Sequence, residues 1–328
     1  MSNTNSGGQS DEVARVICAS IARVQGSVMD QLFEVRNRLC ISSDPLVRSA
    51  LLYSSGWFAF WAEGDVEAVR KAMLRAALDR RNDRQTVIHN SRGAPTLSEP
   101  LAVVTTQGTD GARGFEQRVR RFRQEMERGV SLEPSQVWRC LVAPCIVPMD
   151  REPARLPDRH VALVSAEDNG PIDLLRKLGE RVGSRVVYQR FASSKSHSTD
   201  VGLAYVDIHK AQRVTRIHLL SRRALGLQIV RVSLEGLDQL VMLMGKRPAT
   251  AIDLAASVAD CVKSLARPPA LCQVTEREEI AATIGAVLHR GRALDSELDL
   301  AQIRESQLED FLLGPGLPAA PALRFANV

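Results

Sequence analysis

The stretch Gly56-Trp57-Phe58-Ala59-Phe60-Trp61-Ala62-Glu63-Gly64 decides how the front of this chain folds. It places two of the three Trp and two of the eight Phe of the whole sequence within five residues of one another. Aromatic rings at this density form either a seam of the core or a stacking pocket for a flat ligand. In both interpretations, this segment lies at the centre of a folded unit.

The residues around this stretch alternate between strand and helix patterns. Two short apolar runs between Ala50 and Phe60 are separated by Ser54-Ser55-Gly56, which predicts a β-hairpin. Glu63-Gly64-Asp65 ends the second strand, and apolar residues then recur at helical spacing over residues 66–77. The same patterns predict a strand at Val13–Ile21, a helix at Val28–Leu39, and strands at Thr86–His89 and Leu101–Val104. This order predicts a small mixed sheet with two helices on one face.

Residues 11–106 resemble the BLUF family, flavin-binding blue-light sensors with a ferredoxin-like fold. The resemblance rests on a strand that ends in Phe58-Ala59-Phe60-Trp61-Ala62-Glu63-Gly64, on the helix Val66–Leu78, and on the exit turn Asp79-Arg80-Arg81-Asn82. It implies an α+β ferredoxin-like domain, FAD as the cofactor, a bacterial origin and a role in signal transduction.

The positions that hold and switch the flavin in this family are mostly substituted here. The resemblance places the flavin-binding positions at Cys18, Ser42, Phe60, Asn82, Leu101 and Val103. Cys18 stands where the family has Tyr, Phe60 where it has Gln, and Ser42 where it has Asn. A phenylalanine offers no hydrogen-bond donor or acceptor, so the hydrogen-bond switch of the family cannot operate at residue 60.

The groove between the two predicted helices has two interpretations. In the first, it still binds FAD by stacking and shape, and the chain is a blue-light photoreceptor that regulates a bacterial signalling or transcriptional output. In the second, Phe60 and Trp61 fill the groove as core. Burying an aromatic ring stabilises by roughly 1.5–3 kcal/mol, whereas an amide without its ligand costs about 1–3 kcal/mol. We favour the second interpretation, in which no cofactor is bound.

Composition bounds the class of protein. A chain of 328 residues with 45% hydrophobic content is long enough for two domains. No apolar run approaches the roughly 18–20 residues that span a bilayer, and the first residues are polar, so we expect a cytoplasmic protein without a membrane segment. The six Cys lack metal-site spacing, which favours reduced thiols and no metal.

The net charge of +5 comes mainly from Arg. The densest basic run is Arg113–Arg128, where Glu residues alternate with Arg, and this pattern is typical of a solvated helix face. No helix-turn-helix pattern or aromatic-basic platform accompanies it, which disfavours direct nucleic-acid binding. The partners we expect are therefore proteins, a second copy of this chain included.

The remainder of the sequence predicts a connector and a second domain. Four prolines between 144 and 157 make residues 107–157 a helical, Pro-rich connector. Strands and helices then alternate over 158–267, from the strand His160–Ala166 to a helix at Ala249–Leu265, which predicts an α/β domain. Its layout distantly resembles a Ras-like GTPase. However, Ala166–Asp173 has one Gly, no Lys and a Pro, so the phosphate-binding loop is missing.

Motifs of catalysis were not found along the chain. There is no Gly-x-Ser-x-Gly elbow and no His-x-x-x-His helix, and the six His sit singly, where structural roles are expected. We therefore predict no catalytic residues, and disfavour an enzyme or a nucleotide-binding activity in the second domain.

The two ends complete the predicted organisation. Residues 268–313 are predicted as C-terminal helices that either complete the core of the second domain, which we favour, or dock on a partner. Residues 1–10 and 314–328 are predicted as disordered tails. The sequence thus predicts an α+β ferredoxin-like domain followed by an α/β domain with C-terminal helices, in a regulatory or interaction protein that acts through protein partners.

Overall fold

Twelve strands and eight α-helices make up the described part of the chain. The computed structural model describes residues 12–23, 34, 44–145, 156–166, 172–193, 200–210, 213–291 and 300–314. The strands are β1 Val13–Ala22, β2 Val47–Ser54, β3 Trp57–Gly64, β4 Asn82–Gly93, β5 Ala102–Gln107, β6 Arg159–Ser165, β7 Val186–Ser193, β8 Val201–Lys210, β9 Arg213–Ser221, β10 Gln239–Leu243, β11 Ala270–Val274 and β12 Ala301–Ile303. The α-helices are α1 Val66–Leu78, α2 Gly111–Glu127, α3 Pro134–Val142, α4 Ile172–Val182, α5 Gln228–Ser233, α6 Pro248–Lys263, α7 Glu278–Arg290 and α8 Leu308–Leu313, and short 3-10 helices lie at Arg222–Gly226 and Glu305–Gln307.

The predicted hairpin forms between β2 and β3. Ser55 and Gly56 make its two-residue loop, with φ values of 53° and 79°. Positive φ at both loop residues matches the right-handed twist of the flanking strands, and glycine adopts this conformation at little cost. The hairpin prediction is confirmed.

The predicted helix after the hairpin is also confirmed, as α1. Asp65 begins it, because its Oδ1 accepts hydrogen bonds from the backbone N of Glu67 at 3.0 Å and of Ala68 at 3.1 Å. Gly64 ends β3 at a φ of 150°, and a Cβ at this position would lie 1.9 Å from the carbonyl oxygen of Leu46. Only glycine fits this corner between strand and helix.

The first half of the sheet has the ferredoxin-like strand order that the resemblance implies. Its order is β4-β1-β3-β2 with antiparallel neighbours throughout, and β5 is added parallel to β2. Helix α1 covers one face, where Val69 packs in a cluster with Phe58 and Phe60. The other predicted helix, Val28–Leu39, lies outside the described residues except for Glu34, which is helical.

The second half of the sheet is mainly parallel and is packed against helices. Strands β9, β6, β10, β11 and β12 are parallel neighbours, and β8 pairs antiparallel with β9. Helices α5, α6 and α7 pack on one face and α4 and α8 on the other. Both faces of the parallel strands are therefore covered, as parallel sheets require.

The region predicted as C-terminal helices has a fuller structure than expected. Its helices α7 and α8 contribute Ile284 and Leu312 to buried apolar clusters. The region also contributes β11 and β12 to the sheet. These strands have only five and three residues, and apolar runs this short carry little periodicity that would separate strand from helix.

One sheet of 12 strands runs through both halves, because β5 pairs antiparallel with β7. On one face, a single cluster of buried apolar side chains extends from Ile17 and Trp61 to Val164 and Leu240. The predicted connector contributes α2 and α3 to this face, through Phe115 and Trp138 among others. The segment 107–157 thus forms part of the shared core over its described residues.

The basic run on α2 has the predicted solvated character. Arg120 and Arg123 pair with glutamates one turn away, Glu116 and Glu127, at 2.5 and 2.8 Å. Arg118 differs, because it is buried and pairs with Asp110 at the start of the helix at 2.5 Å. None of the described helices is both long enough and apolar enough to cross a membrane.

Candidate functional site

Four of the six predicted flavin positions lie together on the face that α1 covers. Cys18 pairs with Phe60 across β1 and β3, Phe60 with Leu51 on β2, and Leu51 with Val103 on β5. These residues form a continuous row across four strands. All of them are buried, and Leu101 belongs to the same apolar cluster.

The other two predicted positions are placed differently. Asn82 begins β4, and its Nδ2 donates to the carbonyl oxygen of Ala76 at 2.6 Å. This bond closes the turn between α1 and β4, together with the bond from the backbone N of Asn82 to the carbonyl oxygen of Asp79 at 2.8 Å. Ser42 lies outside the described residues.

Gln85 is a polar neighbour of this row that the sequence did not reveal. Its Nε2 lies 2.9 Å from Cys18 Sγ and donates to it. Its Oε1 is buried and has no hydrogen-bond partner among the described residues. The pairing of β1 with β4 is irregular between Ile17 and Cys18 and again before Ile21, so strand alternation alone does not predict which residue of β4 reaches Cys18.

The Cys18 thiol is protonated near neutral pH. Burial raises the pKa of Cys18 to about 11, and the hydrogen bond from Gln85 opposes this rise only in part. A protonated, buried thiol is a weak hydrogen-bonding group that behaves as a small apolar side chain. The five cysteines in the described part of the chain are all buried, and none of them forms a disulfide.

The described residues of this row do not fit a flavin. The polar edge of a flavin ring carries carbonyl oxygens and ring nitrogens, which need hydrogen-bonding partners once they are buried. Phe60, Leu101 and Val103 offer no such group, and the sulfur of Cys18 already accepts from Gln85. The side chains match the interior of an apolar core instead.

The glutamate of the motif lies on the opposite face and holds a loop. Glu63 is 1% exposed, and its Oε2 accepts from the backbone N of Thr96 at 2.6 Å and of Leu97 at 2.8 Å. Burial raises the pKa of Glu63, while these two hydrogen bonds and the nearby Arg15 act in the other direction. Glu63 therefore fixes the loop between β4 and β5 to the end of β3.

A second polar cluster lines a cavity in the other half of the molecule. The cavity measures about 220 Å³ and lies between the start of β6, the middle of β9 and the end of α3. The side chains that bring polar groups to it are Arg139, His160, Arg216, His218 and Ser233. The sequence did not predict this site, because pairing of β6 with β9 brings together residues that are far apart along the chain.

His160 and His218 form the floor of this cavity. Their ring centroids lie 4.7 Å apart, and both side chains are buried. Burial lowers the pKa of His160 to about 3 and that of His218 well below its ordinary value, with Arg216 acting in the same direction on both. Both rings are therefore neutral. Nε2 of His160 and both ring nitrogens of His218 have no hydrogen-bond partner among the described residues.

Arg216 ties the strands to the end of α3. It pairs with Asp207 through Nε and Nη2, at 2.7 Å each, and its guanidinium lies 4.1 Å from the ring centroid of Tyr205. It also donates to the carbonyl oxygens of Ala143 and Pro144. Burial disfavours the charged guanidinium, but the carboxylate of Asp207 outweighs this effect and keeps the pKa of Arg216 raised.

Comparisons with known proteins give only distant likenesses. No protein-family model matches this chain, and no curated protein matches it. The solved structure of BlrB, a BLUF protein in its dark state, is similar at 16% identity and a TM-score of 0.27, over 29% of this chain and 74% of that chain. The ground state of BlsA is similar at 16% identity and a TM-score of 0.27, over 42% of this chain and 93% of that chain.

A longer likeness covers both halves. The structure of Klebsiella pneumoniae BlrP1 with FMN and cyclic diGMP is similar at 13% identity and a TM-score of 0.30, over 92% of this chain and 73% of that chain. Within the described residues, no group of three or more His, Cys, Asp or Glu side chains is arranged to hold a metal ion.

Proposed function

We propose that this chain is a regulatory protein in which a BLUF-like half has lost flavin photochemistry and acts through a protein partner. The observation that carries the proposal is the buried row from Cys18 through Phe60 to Val103, in which apolar side chains occupy the positions where the family places its flavin-binding groups. The motif Phe58–Gly64 on β3, the helix α1 after it and the strand order of the first half support the BLUF-like assignment.

Flavin content tests this proposal directly. The full chain is produced with FAD supplied, desalted to remove free FAD, and measured by absorbance in the blue. We expect no flavin band at stoichiometric level, because Phe60 offers the ring no hydrogen bond. A flavin band near one per chain, together with a reversible shift under blue light, would contradict the proposal.

An FAD-binding photoreceptor is the second candidate, and Gln85 is the observation that favours it. This amide lies on the same face as Phe60, and its Oε1 is buried without a partner among the described residues. If a flavin is bound, we expect Gln85→Leu to weaken its binding by about tenfold, which is the loss of one hydrogen bond. Asn90→Ala, at an exposed position of the same strand, is the matched control.

The proposed partner contact uses the outer side of α1. Val66, Leu74 and Leu78 are spaced along one side of this helix and are 43%, 50% and 84% exposed. A second copy of the chain is the partner to test first, by light scattering across a range of protein concentrations. We expect Leu74→Glu with Leu78→Glu to abolish any dimer. A monomer mass that stays constant across concentrations would contradict self-association, and pull-down would then test for other protein partners.

The second half is proposed to carry no nucleotide chemistry. Residues 166–173 lack the glycines and the Lys of a phosphate-binding loop, and residues 167–171 lie outside the described part of the structure. We expect GTP and ATP with magnesium to leave the melting temperature of the full chain unchanged. A nucleotide-dependent rise would overturn this part of the proposal.

A further inference from the structure

The cavity beside His160 and His218 is built from four separate elements of the chain. Arg139 comes from α3, His160 from β6 and His218 from β9, while Ser233 closes it from the end of α5. His160 and His218 are only 7% and 1% exposed. Buried polar side chains such as these need hydrogen-bond partners.

Several polar atoms of the residues that line this cavity have no hydrogen-bond partner among the described residues. A neutral imidazole has one N–H donor and one acceptor nitrogen, so His218 alone leaves one of each without a partner. Nε2 of His160 and the Nε–H of Arg139 also lack partners. These atoms belong to residues that line one cavity. Such a concentration of unsatisfied groups around one space points to an occupant that completes them.

The charges around the cavity favour an anion. Arg216 is balanced by Asp207, whose two carboxylate oxygens each lie 2.7 Å from its guanidinium. Arg139 instead donates through Nη1 to the backbone carbonyl of Glu235. Burial lowers the pKa of Arg139, although the Glu235 carboxylate opposes this, and a guanidinium stays charged across the physiological range. A positive charge beside neutral imidazole donors suits an oxyanion.

The volume of the cavity limits the size of the occupant. Its volume of about 220 Å³ is smaller than that of pockets for drug-sized ligands, which measure roughly 300–1,000 Å³. It is several times larger than the volume that one water molecule occupies in the liquid, about 30 Å³. An oxyanion of the size of phosphate fits this range. It accepts hydrogen bonds from N–H groups and, when singly protonated, donates one to an acceptor nitrogen of imidazole.

We propose that this cavity binds one small oxyanion of the phosphate class, held by the Nε–H of Arg139, by Nε2 of His160 and by one ring nitrogen of His218. The bound anion joins α3 to β6 and β9. Since Trp138 of the same helix packs in the core shared with the first half, the anion stabilises the junction of the two halves.

The test uses the full chain and inorganic phosphate at constant ionic strength. We expect phosphate to raise the melting temperature and to bind at one per chain in calorimetry, and acetate to act more weakly because it has one oxygen pair. Arg139→Gln lowers phosphate affinity at least tenfold, whereas Arg120→Gln on the exposed face of α2 leaves it unchanged.

A second variant separates binding from folding. His218→Phe keeps a ring of similar shape and removes both unsatisfied nitrogens, so we expect the phosphate-free protein to melt at the same or a higher temperature while the response to phosphate disappears. Two results would overturn the proposal. One is an unchanged melting temperature with phosphate and with acetate, which means a cavity filled by water; the other is a folded His218→Phe protein that binds phosphate as tightly as the parent.

Discussion

Trp61 on β3 and Trp138 on α3 pack against each other with ring centroids 5.6 Å apart and ring planes inclined at 50°. Both side chains are fully buried. Trp57 makes a similar contact with Phe115 of α2, at 5.6 Å and 20°. The aromatic residues of β3 are therefore divided between the two faces of the sheet. The tryptophans pack against α2 and α3 on one face, and Phe58 and Phe60 pack under α1 on the other.

Removing Trp138 is expected to weaken the whole molecule. Trp138→Ala should lower the free energy of unfolding by about 3–5 kcal/mol, because a large side chain leaves a cavity in a core shared by both halves. Urea unfolding followed by far-UV circular dichroism measures the change. Val130→Ala, at a 49% exposed position outside the proposed partner contact, is the control and should shift stability by no more than about 0.5 kcal/mol. Equal effects of the two substitutions would show that α3 does not hold the sheet.

Substitutions in the buried pair of Arg216 and Asp207 are expected to have non-additive effects on the free energy of unfolding. Asp207→Asn should cost about 3–5 kcal/mol, because it leaves the guanidinium of Arg216 buried without its counter-charge. The double variant Asp207→Leu with Arg216→Met should recover most of that loss, since neither charge is then buried. Urea unfolding of Asp207→Leu, of Arg216→Met and of their double variant completes the double-mutant cycle that measures the coupling. A double variant less stable than Asp207→Asn would mean that the hydrogen bonds of Arg216 to Ala143 and Pro144 dominate.

Acid is expected to destabilise the fold through its buried histidines. Burial lowers the pKa of His89 to about 4 and of His160 to about 3, from an ordinary value of 6.5. Below pH 6.5 the unfolded chain therefore binds more protons than the folded one, and the free energy of unfolding falls as the pH falls towards these lowered values. Each such histidine contributes up to about 1.4 kcal/mol per pH unit in that window, and its full stabilisation is present above pH 6.5.

Urea unfolding at a series of pH values checks this slope. His89→Gln should make the decline shallower, because one of the depressed groups is gone, and His209→Gln, at an exposed position, should leave it unchanged. A slope that stays the same in His89→Gln would assign the acid sensitivity to other groups.

Substitution of Gly64 is expected to destabilise the protein through a steric clash, beyond the effect of backbone entropy alone. Gly64→Ala should cost about 1–3 kcal/mol or more, because its Cβ would meet the carbonyl oxygen of Leu46 at 1.9 Å and the φ of 150° is strained for alanine. Gly129→Ala is the control: its φ is 73°, but no atom lies within 4 Å of the added Cβ. Thermal unfolding of both variants isolates the clash, and equal costs would mean that backbone conformation alone sets them.

Local signals account for what the sequence predicted correctly. Ser55-Gly56 specifies the hairpin turn and Asp65 the start of α1, and each acts over a few neighbouring residues. The contacts that define the candidate sites join residues that are distant along the chain. Gln85 reaches Cys18 through an irregular register, and His160 meets His218 through parallel pairing of β6 with β9. Such contacts depend on strand pairing, which residue patterns along the chain do not encode.

The pairing of β5 with β7 has a consequence for synthesis on the ribosome. Chains fold from the N-terminus as they emerge, and β5 is complete before α2, α3 and α4 have been made, whereas its partner strand follows all three. During that interval the first half presents an open strand edge, which is a template for pairing with other nascent chains. The later half is thus an intramolecular cap for the earlier one, and a gene truncated between the codons for Gly111 and Arg185 is expected to yield aggregated product.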